Sequence, residues 1–137
     1  MPTVKEFTIH MEDRPGTLGK LCRAIADRGV NIVAFQACTM EKGKSAVRIV
    51  TDNPATTKTV LDAEGATHTE AQVAQTKLPH RPGSLAQAAT KLGEGKININ
   101  YAYAGLEPGT NAPVVIFGVT EVGQAAKLLD EVAAQAA

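Results

Sequence analysis

A chain of 137 residues suffices for one domain or for two small ones of about 65–70 residues, each near the lower limit for an independent core. Its 14 basic and 14 acidic residues cancel without a basic run, and with no Trp, two Tyr and three Phe it has little on which to stack bases, which argues against a nucleic-acid partner. No apolar stretch approaches the roughly 20 residues of a membrane span, and Met1-Pro2-Thr3-Val4-Lys5 has no apolar signal core, so the reading is a cytoplasmic protein with no membrane partner.

Residues 3–11 alternate, with Phe7, Ile9 and Met11 on one face and Thr8 and His10 on the other, the period of a half-buried strand. Asp13-Arg14-Pro15-Gly16 breaks it. Leu18, Leu21, Cys22, Ile25 and Ala26 then recur at helical spacing, and Gly29 suits the left-handed position past the last turn. Residues 31–40 and 45–51 read as a hairpin around Glu41-Lys42-Gly43-Lys44. Asn53-Pro54 is a capped helix start, and a short Thr-rich helix over 54–64 carries Ala55, Val60, Leu61 and Ala63.

Residues 67–79 run without a breaker and predict one strand, about 40 Å long at full extension. It follows the elements of the first half and leads directly into His80-Arg81-Pro82-Gly83, so it can serve two modules. A helix over 82–93 with Leu85, Ala88, Ala89 and Leu92 on its stripe comes next. Strands over 97–104 and 113–119 and a helix over 121–135 complete the chain.

The predicted class is α+β: two ferredoxin-like βαββαβ repeats, residues 1–70 and 71–137, sharing the long strand. The second repeat has no last strand of its own. Antiparallel sheets with helices on one face would leave the other face open to a partner, and the unfinished edge calls for a covering strand. Cys22 and Cys38 are expected to be reduced and buried. Two Cys and three His at these spacings make no metal site, and nothing implies a cofactor.

The halves register on each other at an offset of 67. Arg14-Pro15-Gly16-Thr17-Leu18 returns as Arg81-Pro82-Gly83-Ser84-Leu85, and Asn31-Ile32 returns as Asn98-Ile99. Each Arg-Pro-Gly turn opens a helix whose first N–H groups lack internal acceptors and whose dipole favours an anion. Without the glycines and Lys of a P-loop, the geometry suits a carboxylate better than a triphosphate. Asp13, upstream, and Asn31, at the next strand, could both reach the helix tip. The pocket would then hold an α-amino acid, its carboxylate on the N–H groups of Gly16, Thr17 and Leu18 and its ammonium on Asp13. The plain alternative is that Asp13 caps the helix, Pro-Gly makes the turn and Asn31 starts a strand.

Asp13-Arg14-Pro15-Gly16-Thr17-Leu18 through Gly29-Val30-Asn31-Ile32, with its echo at 81–99, resembles the ACT domain family, βαββαβ modules that bind amino acids and control enzymes of amino-acid metabolism. The resemblance covers nearly the whole chain as two repeats. It implies a ligand at an interface between ACT modules, against Met11, Asp13, Gly16, Thr17, Leu18 and Asn31. The matching second-repeat positions are Leu78, His80, Gly83, Ser84, Leu85 and Asn98. His80 stands where Asp13 stands and is a poor ammonium partner, so the two sites are expected to be unequal. His10 and His68 read as polar-face residues, and Tyr101 and Tyr103 as packing residues.

No Ser-His-Asp, Cys-His or paired-carboxylate arrangement can be placed, so no catalysis is expected. Acylphosphatase shares the ferredoxin-like fold and uses an Arg in its first turn, which Arg14 or Arg81 could mimic. The expected function is an amino-acid-binding allosteric sensor acting as a homodimer or higher homo-oligomer. The alternatives are a regulatory subunit of a separate amino-acid biosynthetic enzyme, as acetolactate synthase small subunits resemble, and a ligand-free oligomerisation module.

Overall fold

A computed structural model describes the backbone of residues 3–136 and the side chains of residues 3–133. Residues 1, 2 and 137, the outer ends of the two expected repeats, lie outside the described residues. The element order is β1 (Thr3–Glu12), α1 (Thr17–Asp27), β2 (Ile32–Thr39), β3 (Lys44–Thr51), α2 (Pro54–Ala63), β4 (Thr67–Lys77), α3 (Ser84–Glu94), β5 (Ile99–Leu106), β6 (Pro113–Val119) and α4 (Val122–Ala136). None of the described helices is long and apolar enough to cross a membrane. The chain forms two compact units, one of residues 5–71 and one of residues 72 onward together with residues 3 and 4.

In the first unit β3 is central, antiparallel to both β1 and β2. The start of β4 flanks β1, where Lys5 Nζ reaches Glu70 Oε1 at 2.9 Å and the Phe7 ring meets His68 edge-on at 5.9 Å. The alternation of β1 sends Phe7 and Ile9 inward. They pack with Val47, Ile49, Leu21, Ile25, Val60 and Leu61 under α1 and α2, each such side chain contributing on the order of 1.5–3 kcal/mol on full burial. In α2 the sequence stripe is off by one element of its face: Ala55 and Ala63 are exposed and Thr57 is buried instead. Thr57 can go inside because its hydroxyl is bonded, at 2.8 Å to the Thr51 hydroxyl and at 2.9 Å to the Asn53 carbonyl. Asn53 Oδ1 accepts from the Thr56 N–H at 3.1 Å, the predicted cap.

In the second unit β6 is central, paired with β5 and with the far half of β4 (Ala74↔Phe117 to Lys77↔Val114). One strand thus takes part in both units, ending at Lys77 where residue 79 was expected. The strand β5 begins and ends two residues later than predicted, because Gly105 and Leu106 pair with Val114 and Pro113. On α3 the inward stripe is Ser84, Ala88 and Leu92, at four-residue steps. Leu85, expected inside, is exposed.

Local backbone detail repeats at the same offset. Gly16 and Gly83 have φ of +92° and +90°. Irregular pairing falls between Ile32 and Ala34 in β2 and between Ile99 and Tyr101 in β5. Gly29 (φ +73°) corresponds to Lys96 (φ +61°), a side chain in a region that favours glycine.

On the face away from the helices, Glu6, Ala34, Ala46 and Val50 are buried in the first sheet, and Val114, Ile116 and Gly118 in the second. Tyr101 lies over Gly118 and stacks on Tyr103, the rings 8° from parallel at 6.4 Å. His68 is also off expectation. It sits at 11% exposure, against Phe7, with Nδ1 2.9 Å from the Ala66 carbonyl. Cys22 and Cys38 are free thiols but only half-buried, and burial raises the Cys22 thiol above its usual range.

Candidate functional site

The turn before α1 is held by its own bonds. Gly16 caps the helix in a left-handed conformation, and no side chain does so, Asp13 included. The Asp13 N–H donates to the Gly43 carbonyl at 3.0 Å, tying the turn to the β2–β3 hairpin. The Thr17 hydroxyl has the Arg14 and Glu12 carbonyls at 3.0 and 3.1 Å, and the Thr17 N–H donates to the Arg14 carbonyl at 3.4 Å. The first N–H to bond back within the helix is that of Lys20, to Gly16 at 3.0 Å. The N–H groups of Leu18 and Gly19 fall before it, where a helix offers no internal acceptor. Of the N–H groups of Gly16, Thr17 and Leu18, that of Thr17 is thus taken up by the Arg14 carbonyl.

Asp13 Oδ2 accepts a hydrogen bond from the Thr39 hydroxyl at 3.1 Å. A carboxylate has about four lone-pair directions, so Asp13 retains acceptor capacity for a ligand. Beside it is a cavity of about 190 Å³, lined at the turn by Met11, Asp13, Arg14, Gly16, Thr17 and Leu18 and on the sheet by Ala37, Cys38, Thr39, Ser45 and Val47. That is smaller than the roughly 300–1,000 Å³ of drug-sized pockets. It combines an anionic wall at Asp13, a helix tip and an apolar floor of Met11, Ala37 and Val47. Arg14 adds a cation at the rim, paired with Glu12 at 3.3 Å.

Five of the six first-repeat candidates converge here, namely Met11, Asp13, Gly16, Thr17 and Leu18. Asn31 does not. It precedes β2 at the opposite end of α1, and eleven helical residues at about 1.5 Å each separate it from the tip. Its N–H donates to Asp52 Oδ1 at 2.9 Å and its carbonyl accepts from the Asp52 N–H at 3.0 Å. The hairpin residues Ala37, Thr39, Ser45 and Val47 were missed. Their signal was available, since β2 runs parallel to β1 and its end must return to the turn.

The second turn has the same backbone but other surroundings. Leu78 and Ser84 are buried, His80 and Leu85 are exposed, and the exposed Asn98 donates to Asn100 at 3.1 Å. The cavity that Gly83 lines faces Ala86, Gln87 and Thr90 of α3 and Val132 of α4, and includes neither His80 nor Ser84. Among the described residues no group of three or more His, Cys, Asp or Glu is placed to hold a metal ion.

Comparison with known proteins matches this geometry to a family. Residues 6–66, which contain the whole α1 turn and its hairpin, match the model of the ACT domain family. Among solved structures, a protein from Bacteroides thetaiotaomicron is similar with a TM-score of 0.80 at 19% identity, over 94% of this chain and 88% of that one. The regulatory subunit of aspartate kinase from Thermus thermophilus gives 0.64 at 14%, over 96% and 92%. Aspartate kinase from Synechocystis gives 0.56 at 16%, over 96% of this chain and 25% of that one. At these identities the likeness is one of fold. No curated protein matches the chain by sequence.

Proposed function

We propose that the chain is a non-catalytic, cytoplasmic regulatory protein made of two ACT repeats, residues 1–70 and 71–137, that binds a free amino acid at the first Arg-Pro-Gly turn. The observation that carries this reading is the convergence of Asp13, Gly16, Thr17, Leu18 and Met11 on one small cavity. The ligand carboxylate lies on the helix tip at Leu18 and Gly19, where unpaired N–H groups and the dipole act together. Its ammonium meets Asp13, which Thr39 orients. Its side chain rests on Met11, Ala37 and Val47. An ACT module of a second copy closes the outer side of the cavity, so the ligand favours one assembly over another, and that difference in affinity is the signal. A ligand of roughly ten heavy atoms supports micromolar to millimolar affinity.

A second reading is a regulatory subunit of a separate amino-acid biosynthetic enzyme. It draws support from the fold shared with the regulatory subunit of aspartate kinase from Thermus thermophilus over nearly the full length of both chains. The third, an oligomerisation module with no ligand, has no use for a carboxylate held beside a helix tip. A thermal-shift screen of the twenty amino acids separates these. One or a few should raise the Tm of the wild type and not of Asp13→Ala. No shift at millimolar concentration for any of them would end the sensor reading, and co-purification with a larger enzyme would favour the subunit reading.

A further inference from the structure

The strand β1 outruns its neighbour. Lys5 reaches Glu70 and Phe7 meets His68, so each step forward on β1 is one step back on β4. This register sets Thr67, the first residue of β4, opposite Thr8. Residues 9–12 pair with β3 on one side, from Ile9↔Val47 to Glu12↔Lys44, and extend past the start of β4 on the other. Successive residues of a strand direct their N–H and C=O to opposite sides, so two of these four present both groups to the gap.

The gap is a cavity of about 490 Å³. Met11 and Ala66, both partly buried, give it apolar surface, the turn at Gly65, Ala66 and Thr67 closes it, and Glu12 and Lys44 supply opposite charges. Its volume lies within the range of small-molecule sites and exceeds the 190 Å³ beside Asp13. Met11 lines both cavities.

We propose that this gap is a second ligand site, for a zwitterion with an apolar side chain. The exposed edge of β1 hydrogen-bonds the ligand's main-chain polar groups, including an amide where it has one, as an added strand would. Lys44 holds the carboxylate, Glu12, which also pairs with Arg14, the ammonium, and Met11 and Ala66 the apolar part. A free amino acid and a dipeptide share this chemistry. The dipeptide carries the additional amide that the edge can pair.

The test is a titration of the full chain followed by amide chemical shifts, with the dipeptide Ala-Leu and with leucine as probes. Movement of Gly65, Ala66 and Thr67 with Ala-Leu, retained in Asp13→Ala and weakened about two- to fivefold in Lys44→Ala, supports the site. The same movement with leucine alone supports it with the free amino acid as its source. The variant spectra report whether each fold is intact, and Glu12→Gln gives a second removal of charge if Lys44→Ala perturbs the hairpin. No movement of these amides with either probe at about 20 mM, or movement confined to Gly16–Leu18 and Thr39, overturns the proposal. Asp13→Ala keeps the two cavities distinguishable, since its loss of binding at the α1 turn leaves this response untouched.

Discussion

The Thr39 hydroxyl donates to Asp13 Oδ2 at 3.1 Å across 26 residues of chain. The bond joins the end of β2 to the turn before α1 and fixes where the carboxylate stands. Asp13→Ala removes both the charge and the hydrogen bond. A hydrogen bond to a charged group is worth about 1.5–3 kcal/mol, so amino-acid affinity by calorimetry should fall on the order of tenfold or more. Thr39→Val keeps the charge and loosens it. A loss of only a few-fold is expected there, with the Tm of both variants near that of the wild type.

Glycine substitutions should split by sign. Neither Gly16 nor Gly19 has any atom within 4 Å of an added Cβ. Gly16 has φ +92° and Gly19 lies inside α1. Gly16→Ala should destabilise by about 1–2 kcal/mol through backbone strain alone, and Gly83→Ala by a similar amount. Gly19→Ala should stabilise by about 0.5–1 kcal/mol. Lys96, at φ +61°, should gain from Lys96→Gly by about 1 kcal/mol. Urea unfolding midpoints would check all four, and an equal effect at Gly16 and Gly19 would contradict the argument.

A Cβ at Gly118 would fall onto the Tyr101 ring. The ring cannot withdraw freely, because Tyr103 stacks on it. Gly118→Ala should therefore cost about 1–3 kcal/mol. Adding Tyr101→Ala should recover part of that loss, and a double-mutant cycle showing simple additivity would rule out the contact.

Asn53→Ala should cost about 1 kcal/mol by freeing the Thr56 N–H. Thr57→Val removes a buried hydroxyl that serves two partners, the Thr51 hydroxyl and the Asn53 carbonyl. Leaving Thr51 short of a partner should cost about 1–3 kcal/mol. Thermal unfolding of the two variants should rank Thr57→Val at or below Asn53→Ala.

Acid should weaken the fold through specific pairs. The hydrogen bond from Lys5 holds the Glu70 carboxyl below 4.5, and that from Lys58 holds Asp62 below 3.8. Each group has a lower value folded than unfolded, so its contribution is complete above the unfolded value and is lost as pH falls through the folded one. Both are solvent-exposed, so each effect is small. Between about pH 5 and pH 3 the Tm of Glu70→Gln should fall less than that of the wild type. A parallel decline would mean the pair adds nothing.

The elements were legible where a local signal exists. Alternation gave β1, the helical stripe gave α1, Asn53-Pro54 gave the start of α2, and the breaker-free run gave β4. Leu85 is apolar and so reads as inward, yet the buried face of the helix is Ser84, Ala88 and Leu92. Alternation puts His68 on a polar face and says nothing about an edge-on ring partner such as Phe7. Asn31, at the start of the next strand, reads as within reach of the helix tip, but a strand that follows a helix begins at that helix's far end. The Thr17 hydroxyl lines the cavity as expected, but its donor is shared between the Arg14 and Glu12 carbonyls, a competition that no sequence pattern signals.

The bonds that hold the α1 turn also bear on time. Gly43, Glu12 and Arg14 already restrain the backbone of Asp13 and Thr17. An amino acid bound as proposed would have little loop to order, so its association should be limited by encounter more than by rearrangement. Differences between amino acids would then be written almost wholly in how long each stays, and a sensor of the proposed kind would follow a falling concentration as promptly as its ligand can leave.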